Sequence, residues 1–326
     1  MISTLAYILS FISYIRNFMY NNKFLKIHKF PIPVISIGNL TFGGTGKTPA
    51  TIDIAKYILS IGHKPGIVSR GYKKSGRGTV IVSDGVSIKS NIEQAGDEAM
   101  LIAHSLNDVP IIVDSNKVNA INYILNYNID VVIIDDGFQS RYIHRDLDIV
   151  LINLTQHNPI NGRTLSKNIL RESIVSLSRA DIIATSRNSN INAHKWIAGN
   201  FSSIICNPIE KFNVIQKTDK SISKLKKRNL IGFAGIGDPG SFRQPTIGYT
   251  IEKYIVFKDH SKYRDKEIKK LLDAKDRCNA SGFLTTYKDF IKLPLHFLDS
   301  QDVFILSYSF EISKLSRVRK SIKNIL

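Results

Sequence analysis

From residue 34 to residue 185 the chain alternates short apolar runs with stretches in which apolar residues recur at helical spacing. The apolar runs predict strands at residues 34–37, 66–69, 80–83, 110–113, 131–134, 147–153 and 182–185. The helical spacing predicts helices at residues 48–61, 97–106, 115–127 and 192–199. Strands that alternate with helices form parallel sheets, and continuously apolar strands are buried on both faces. The pattern therefore predicts an α/β fold in which helices cover both faces of a parallel sheet.

A polar and basic segment at residues 210–228 interrupts this pattern and predicts a crossing into a second unit. Further strands are predicted at residues 230–234, 254–257, 283–285 and 303–306, and a basic helix at residues 313–326. We therefore predict an N-terminal region at residues 1–30, a main domain at residues 31–215 and a smaller C-terminal α/β domain at residues 216–326.

The N-terminal region combines an apolar helix with a basic flank. Residues 1–15 carry no charged side chain, and apolar residues recur at helical spacing up to Met19. Lys23, Lys26 and Lys29 follow. Serines interrupt the apolar stretch, whereas a spanning helix needs about 20 apolar residues, and the start of the chain lacks the features of a secretory signal. We expect a helix that lies in a membrane interface, the alternative being an ordinary helix packed on the domain.

A glycine-rich loop lies between the first predicted strand and the first helix of the main domain. It contains Gly43, Gly44, Thr45, Gly46, Lys47 and Thr48. Such a loop lets backbone N–H groups approach phosphate oxygens, and the following helix adds the positive end of its dipole. Lys47 would contact the β- and γ-phosphates and the Thr48 hydroxyl would bind Mg²⁺. The usual glycine five residues before Gly46 is replaced by Thr41, so the loop is a variant phosphate-binding loop.

Two pairs of acidic residues are candidates for chemistry. Asp135 and Asp136 end the apolar strand at 131–134, where a carboxylate can complete a Mg²⁺ shell beside a phosphate loop. The alternative is a turn or a helix cap. Asp97 and Glu98 open a predicted helix, and from spacing alone they are acidic residues at a helix start.

Three further features are weaker. Arg70, which follows a predicted strand, could contact a phosphate or belong to a turn. The glycines at residues 235–240 match a dinucleotide-binding pattern, but Pro239 stiffens the turn and an interdomain turn explains them equally well. By spacing alone, His260 is a surface histidine.

The composition of the chain limits the classes of binding partner but does not distinguish among them. The net charge of +18 favours a polyanion, which could be nucleic acid, an anionic membrane or a phosphorylated substrate. Cys206 and Cys278 stand alone, which argues for a reducing compartment and against a zinc or disulfide framework. We expect two isolated buried thiols.

Taken together, these segments resemble the tetraacyldisaccharide 4'-kinases, the lipid A kinases of Gram-negative bacteria. The resemblance covers most of the chain, beginning with the apolar N-terminus and the segment 33–49. It continues in one order through the motifs at residues 69–72, 96–98, 135–139, 145–150, 170–172, 179–181, 233–237, 257–260 and 286–289. In this family Thr41 is usual, so the variant loop is no longer an imperfect match.

The resemblance implies a P-loop kinase that uses ATP and Mg²⁺. The site residues it implies are Asp97 and His260 as a catalytic pair; Gly43, Gly44, Thr45, Gly46, Lys47 and Thr48 for the nucleotide; Thr48, Glu98, Asp135 and Asp136 for the metal; and Arg70, Gln139 and Arg171 for substrate or phosphate. The implied acceptor is the lipid A disaccharide precursor, an anionic glycolipid. The implied location is the cytoplasmic face of the inner membrane, with attachment through the N-terminal helix, and neither a nucleic acid nor an obligatory protein partner is expected.

The chain departs from the family pattern at Ser140, Lys258 and Tyr287, where the family usually has His, Pro and Glu. These changes put local substrate contacts in question, while the expected reaction is unchanged. The alternatives are a soluble P-loop GTPase or ATPase switch, although no Asn-Lys-x-Asp motif is found, and a nucleic-acid-binding protein, suggested by charge alone.

Overall fold

The computed structural model describes residues 2–41, 45–72, 74–154, 170–186, 191–216, 228–236, 242, 249–259 and 261–326. The chain packs as two compact units, Met1–Glu210 with Phe310–Leu326, and Lys211–Ser309. This division places the end of the chain in the first unit, whereas the predicted domains place residues 216–326 together. The first unit is therefore built from both ends of the chain.

The first unit contains an eight-stranded sheet. Its strands are β1 Val34–Asn39, β2 Pro65–Ser69, β3 Val80–Asp84, β4 Pro110–Val113, β5 Val131–Asp135, β6 Leu147–Asn153, β7 Ile182–Ser186 and β8 Ile204–Cys206, in the order β3-β4-β2-β5-β1-β6-β7-β8. Neighbouring strands are parallel except β3 and β4. The predicted parallel α/β fold is confirmed, and β1 lies between β5 and β6.

Helices precede, connect and cover these strands. They are α1 Ile2–Asn21, α2 Lys47–Ser60, α3 Ile92–Ala95, α4 Asp97–Ser105, α5 Lys117–Ile124, a 3-10 helix at Ile174–Arg179 and α6 Ile191–Asn200. Helix α2 packs against β1, β2 and β5, and α5 packs against β2 and β4. Helix α5 begins two residues later than the predicted helix at 115–127, because the Asn116 side chain accepts the Val118 N–H and caps the helix at Lys117. It ends at Ile124, three residues before the predicted end.

The second unit is built around a smaller sheet. Its strands are β9 Ile209–Gln216, β10 Arg228–Ala234, β11 Tyr249–Val256, β12 Gly282–Thr286 and β13 Val303–Glu311, in the order β11-β10-β12-β13-β9. Its helices are α7 Asp265–Arg277, α8 Tyr287–Phe290 and α9 Leu295–Ser300. Phe233 lies at the centre of its core and meets Phe257, Tyr263 and Phe283 edge to face. This smaller α/β unit is inserted in sequence between Glu210 and Phe310 of the first unit.

The last helix, α10 Ser316–Ile325, returns to the first unit and is fixed to α2 there. Both oxygens of the Asp53 carboxylate take part. Its Oδ2 accepts the N–H groups of Ile312 and Ser313 at 2.8 and 2.7 Å, and its Oδ1 accepts the Ser313 hydroxyl at 2.9 Å. Arg319 of α10 stacks over the Tyr57 ring of α2 at 5.4 Å. These contacts attach the end of the chain to the helix that follows the glycine-rich loop.

Helix α1 turns a polar side toward the protein over residues 11–21. Ser13 is 9% exposed, and its hydroxyl donates to the Arg171 carbonyl oxygen at 3.0 Å. The outward side is apolar, with exposed side chains at Phe11, Ile12, Tyr14, Ile15 and Phe18. This reverses the usual arrangement, in which the apolar stripe of a helix faces the core. No helix in the described part of the chain is both long and apolar enough to cross a bilayer.

Candidate active site

The described part of the glycine-rich loop connects β1 to α2 in the predicted manner. Gly46 has φ 89° and ψ 15°, a left-handed conformation that glycine adopts without strain, and α2 begins at Lys47. The Asn39 amide at the end of β1 donates to the Thr45 hydroxyl at 2.7 Å, which fixes the loop against the strand. Thr45 and Thr48 are buried. Gly43 and Gly44 lie outside the described residues.

The carboxyl end of β5 brings Asp135 beside this loop. The parallel register pairs Asp135 with Ile37 of β1, two residues before Asn39. Its carboxylate accepts the hydroxyls of Thr51 on α2 at 3.2 Å and Ser69 on β2 at 3.5 Å. Burial raises the pKa of Asp135 to about 6, and the adjacent charge of Asp136 acts in the same direction. Asp135 therefore joins the ends of three elements at one edge of the sheet.

Two cationic side chains bind the carboxylate of Asp136. Arg171 Nη1 lies 2.8 and 2.7 Å from its two carboxylate oxygens, and Lys47 Nζ lies 3.6 Å from its Oδ1. Burial alone would raise the pKa of Asp136, but the charges of Lys47 and Arg171 outweigh it and hold the pKa well below its usual range. The loop lysine and the second aspartate thus form one charged cluster.

Gln139 and Arg171, which the family resemblance implied, belong to the same cluster. The Gln139 amide donates to the Asn39 carbonyl oxygen at 2.8 Å, and its Oε1 accepts from Arg171 at 3.3 Å. The Arg171 backbone N–H donates to the Leu40 carbonyl oxygen at 2.7 Å, so residue 171 lies against the chain that enters the glycine-rich loop.

Lys117 is a member of the cluster that the sequence reasoning missed. It is 4% exposed, and its Nζ donates to the Asp136 carbonyl oxygen and, at 3.2 Å, to the Ser140 hydroxyl. Burial lowers its pKa to about 8, although the charges of Asp136 and Asp135 oppose this. Its position after β4, at the same edge of a parallel sheet as Asp135, is the signal that could have identified it.

Asp97 and Glu98 occupy the first turn of α4, where acidic side chains interact favourably with the helix dipole. The residue before them, Gly96, has φ 86°, and a Cβ there would lie 2.6 Å from the Tyr72 carbonyl oxygen. Glycine therefore allows the segment after β2 to approach the start of α4. Asp97 is 9% exposed, whereas Arg70 in the segment after β2 is exposed. His260 lies outside the described residues, so its pairing with Asp97 stays a prediction.

This edge of the sheet is suited to anionic, oxygen-rich ligands. It combines a helix N-terminus, a lysine, an arginine and two aspartates, one of which retains a buried carboxylate next to hydroxyl groups. Within the described ranges, no three His, Cys, Asp or Glu side chains converge as a ready-made metal cage. Cys206 and Cys278 are both free thiols and half-buried, so they are less enclosed than expected.

The fold and this cluster define the chain as a P-loop protein, with a glycine loop between β1 and its helix and an aspartate at the end of the neighbouring strand. The family model of the tetraacyldisaccharide-1-P 4'-kinases, LpxK, matches residues 1–326. The chain belongs to this family, which confirms both the resemblance and the expected kinase class. Family membership sets aside the switch-protein and nucleic-acid-binding alternatives.

Individual relatives support the same assignment. The tetraacyldisaccharide 4'-kinase of Aquifex aeolicus (strain VF5) is 31% identical over 318 residues, covering 95% of this chain and 93% of the relative. That of Desulfotalea psychrophila (strain LSv54 / DSM 12343) is 34% identical over 292 residues, covering 86% and 83%. A crystal structure of LpxK from Aquifex aeolicus, described as an "apo" form in complex with ATP, has a TM-score of 0.77 and 30% identity and covers 99% of this chain and 97% of that one.

Proposed function

We propose that this chain transfers the γ-phosphoryl group of ATP to the 4'-hydroxyl of tetraacyldisaccharide 1-phosphate, giving lipid IVA and ADP in lipid A biosynthesis. The observation that carries the proposal is the cluster in which Lys47, at the start of α2, meets Asp136 at the end of β5. A kinase needs a phosphate-binding cation and a carboxylate at this place, and family membership specifies the acceptor.

In the proposed reaction the loop holds the donor. The residues assigned to the nucleotide are Gly43, Gly44, Thr45, Gly46, Lys47 and Thr48. Phosphoryl transfer has a loose transition state with negative charge on the equatorial oxygens, so catalysis depends on positioning and on fixed positive charge. Lys47 and Arg171 supply positive charge beside Asp136, and the N-terminus of α2 adds its dipole.

Thr48 and Asp135, with Glu98 and Asp136, are proposed to hold Mg²⁺. The donor set fits this ion, because Mg²⁺ prefers oxygen ligands and takes one or two carboxylates together with substrate phosphates and waters. A complete protein cage is therefore not required. When bound, the ion would neutralise charge that develops on the β- and γ-phosphate oxygens.

Asp97 is proposed to orient or deprotonate the 4'-hydroxyl, with His260 orienting Asp97 or tuning its pKa. The burial of Asp97 at a helix start supports a fixed position for its carboxylate. Arg70, Gln139 and Arg171 are proposed to contact the substrate or its phosphates. The exposed Arg70 is free to reach a ligand outside the sheet edge, whereas Gln139 and Arg171 act from within the cluster.

The apolar outer face of α1 supports attachment to the cytoplasmic face of the inner membrane. Phe11 is 64% exposed and Phe18 is 52% exposed, and the basic residues Lys23, Lys26 and Lys29 are exposed just beyond the helix. A helix of this kind enters the bilayer interface, and the lysines favour anionic headgroups. An enzyme at the interface avoids extracting the acyl chains of its acceptor, which costs about 0.8 kcal/mol per CH₂.

The test is to incubate the purified full-length chain with Mg²⁺-ATP and the lipid disaccharide in mixed micelles. We expect mass spectrometry to show a product that carries one additional phosphate on the 4'-position, formed together with ADP. The Lys47→Met variant is the matched control and should form little product. Nucleotide hydrolysis that does not depend on the lipid, or a preference for GTP, would contradict the proposal.

A further inference from the structure

The polar inner face of α1, formed by Ser13, Arg16 and Asn17, contacts the chain next to the charged cluster. Ser13 Oγ donates to the carbonyl oxygen of Arg171, and Asn17 Nδ2 donates to Glu172 Oε2 at 2.8 Å. Arg16 Nη2 lies 3.3 Å from Glu172 Oε1. Ser13 therefore contacts residue 171, and Arg16 and Asn17 contact residue 172. All three contacts are polar and involve no apolar side chain of α1.

Glu172 anchors this contact from the protein side. Its side chain has no exposed surface, and Arg179 binds its Oε2 at 2.9 Å. A carboxylate buried to this degree requires charged or hydrogen-bonding partners, because removing it from water costs several kcal/mol. Two of its partners, Arg16 and Asn17, come from α1. Helix α1 therefore helps to stabilise the conformation of residues 171 and 172.

Arg171 connects α1 to the phosphate-binding region through different atoms of one residue. Its carbonyl accepts from Ser13, its N–H donates to the Leu40 carbonyl oxygen before the glycine-rich loop, and its guanidinium binds the Asp136 carboxylate. The adjacent Leu170 forms an antiparallel bridge with Thr41. A shift of the backbone at residue 171 would therefore move the guanidinium relative to Asp136.

We infer that the polar inner face of α1 positions Arg171 for phosphoryl transfer, so that α1 belongs to the transfer machinery in addition to its proposed role in membrane attachment. Ser13 and Asn17 are positioning residues that act through residues 171 and 172. This inference rests on the proposed function. Its physical basis is that a misplacement of about 1 Å of a positioned group can cost on the order of 10²-fold in rate.

The test compares Ser13→Ala and Asn17→Ala with the wild-type chain under saturating lipid in mixed micelles. We expect kcat to fall about 10-fold or more, because the guanidinium is displaced, while binding to phosphatidylcholine and phosphatidylglycerol vesicles is retained. Ser203→Ala is a matched control, since the Ser203 hydroxyl also donates to a backbone carbonyl, that of Ala180, at 2.6 Å. It should retain the wild-type kcat and should lose as much thermal stability as Ser13→Ala.

A double-mutant cycle with Arg171→Ala separates positioning from simple destabilisation. If Ser13 acts through Arg171, then Ser13→Ala should lower kcat little once Arg171 is Ala. Losses that multiply, or a wild-type kcat in both Ser13→Ala and Asn17→Ala, would overturn the inference. If the wild-type chain itself forms no 4'-phosphate, the proposed function is wrong. If the wild type and both variants are equally active, the proposed function stands and only the positioning role of α1 is wrong.

Discussion

At the scale of single residues, Asp136 has a conformation that few non-glycine residues adopt. Its φ is 55°, in the left-handed region, where a side chain costs about 1–2 kcal/mol. The surrounding contacts hold it there, because Lys117 binds its carbonyl oxygen while Arg171 and Lys47 bind its carboxylate. Backbone strain that neighbouring groups maintain is concentrated at functional sites, which fits the place of Asp136 in the proposed kinase.

Replacing Lys117 by Met tests whether this support matters. We expect Lys117→Met to lower kcat about 10-fold or more, because the strained Asp136 carbonyl loses its charged donor. Stability should fall by about 1–3 kcal/mol, because the buried Asp136 carbonyl oxygen and the Ser140 hydroxyl lose their donor. Steady-state kinetics and thermal melting measure the two effects. Lys56→Met, at an exposed position of α2, is the control. A wild-type kcat in Lys117→Met would contradict the positioning role.

Replacing Asp97 by Ala tests the proposed general base. A positioned base contributes about 10²–10⁴-fold, so Asp97→Ala should lower kcat by that range with little change in the KM for ATP. If Asp97 and His260 act as a unit, the double variant with His260→Ala should cost far less than the product of the single losses. A near-normal kcat in Asp97→Ala would show that the assignment is wrong.

At the scale of elements, α1 has two faces with opposite partners. Its polar face binds residues 171 and 172 of the first unit, and its apolar face is exposed. Helical spacing alone predicted an apolar face but not the direction in which it points. The direction is decided by Glu172, whose buried carboxylate needs polar partners, two of which, Arg16 and Asn17, lie on the other face of α1.

The outer face can be tested by changing Phe11 and Phe18 to Ser. Each buried Phe side chain contributes about 1.5–3 kcal/mol, so the double variant should bind phosphatidylcholine and phosphatidylglycerol vesicles at least 10²-fold more weakly. Vesicle sedimentation measures this. Val86→Ser, at a 93% exposed apolar position outside α1, should bind as the wild type does. Equal binding by the double variant would exclude α1 as the attachment element.

The contact between α1 and Glu172 should depend on pH. Burial would raise the pKa of Glu172, but Arg179, Asn17 and Arg16 outweigh it and lower the pKa from its ordinary value of 4.5. A lowered folded-state pKa contributes stability that is present above pH 4.5 and is lost as the pH falls through the lower folded-state value. Glu172→Gln should therefore cost about 2 kcal/mol at pH 7 and progressively less below pH 4.5.

Urea unfolding followed by the fluorescence of Trp196, the only tryptophan in the chain, measures this dependence. Trp196 packs in the same apolar cluster as Leu170, next to the contact. A stability difference between wild type and Glu172→Gln that does not change with pH would contradict the role of the ionised carboxylate.

At the scale of the whole molecule, the chain leaves the first unit after Glu210 and returns to it at Phe310. The returning segment is attached to α2, the helix that starts at Lys47, by three hydrogen bonds to one carboxylate. Burial raises the pKa of Asp53, although the Ser313 and Ile312 donors oppose this. The C-terminal helix, which a linear division assigns to the second domain, therefore stabilises the phosphate-binding unit.

Asp53→Ala should destabilise the first unit by roughly 2–3 kcal/mol, because the Ser313 N–H and hydroxyl lose their acceptor. The Ile312 N–H keeps only its longer bond to the Phe310 carbonyl oxygen, at 3.2 Å. Ser313→Ala removes only the hydroxyl and should cost about 1 kcal/mol. The Trp196 fluorescence of the first unit reports both in urea. Equal stability of Asp53→Ala and wild type would show that water replaces the carboxylate without loss.

The sequence by itself determined the parallel α/β fold, the loop between β1 and α2, and the aspartates at the end of β5. These depend on patterns within a few residues, because apolar alternation, glycine and strand-end carboxylates act locally. The tertiary structure decided the support of Asp136 by Lys117, the direction of α1 and the return of the C-terminal helix to α2. The residues that make these contacts are far apart in the chain: 158 residues separate Ser13 from Arg171, and 259 separate Asp53 from Ile312. No local sequence pattern therefore predicts the contacts. Only folding brings such groups together, and the need to pair buried charges then selects which of them meet.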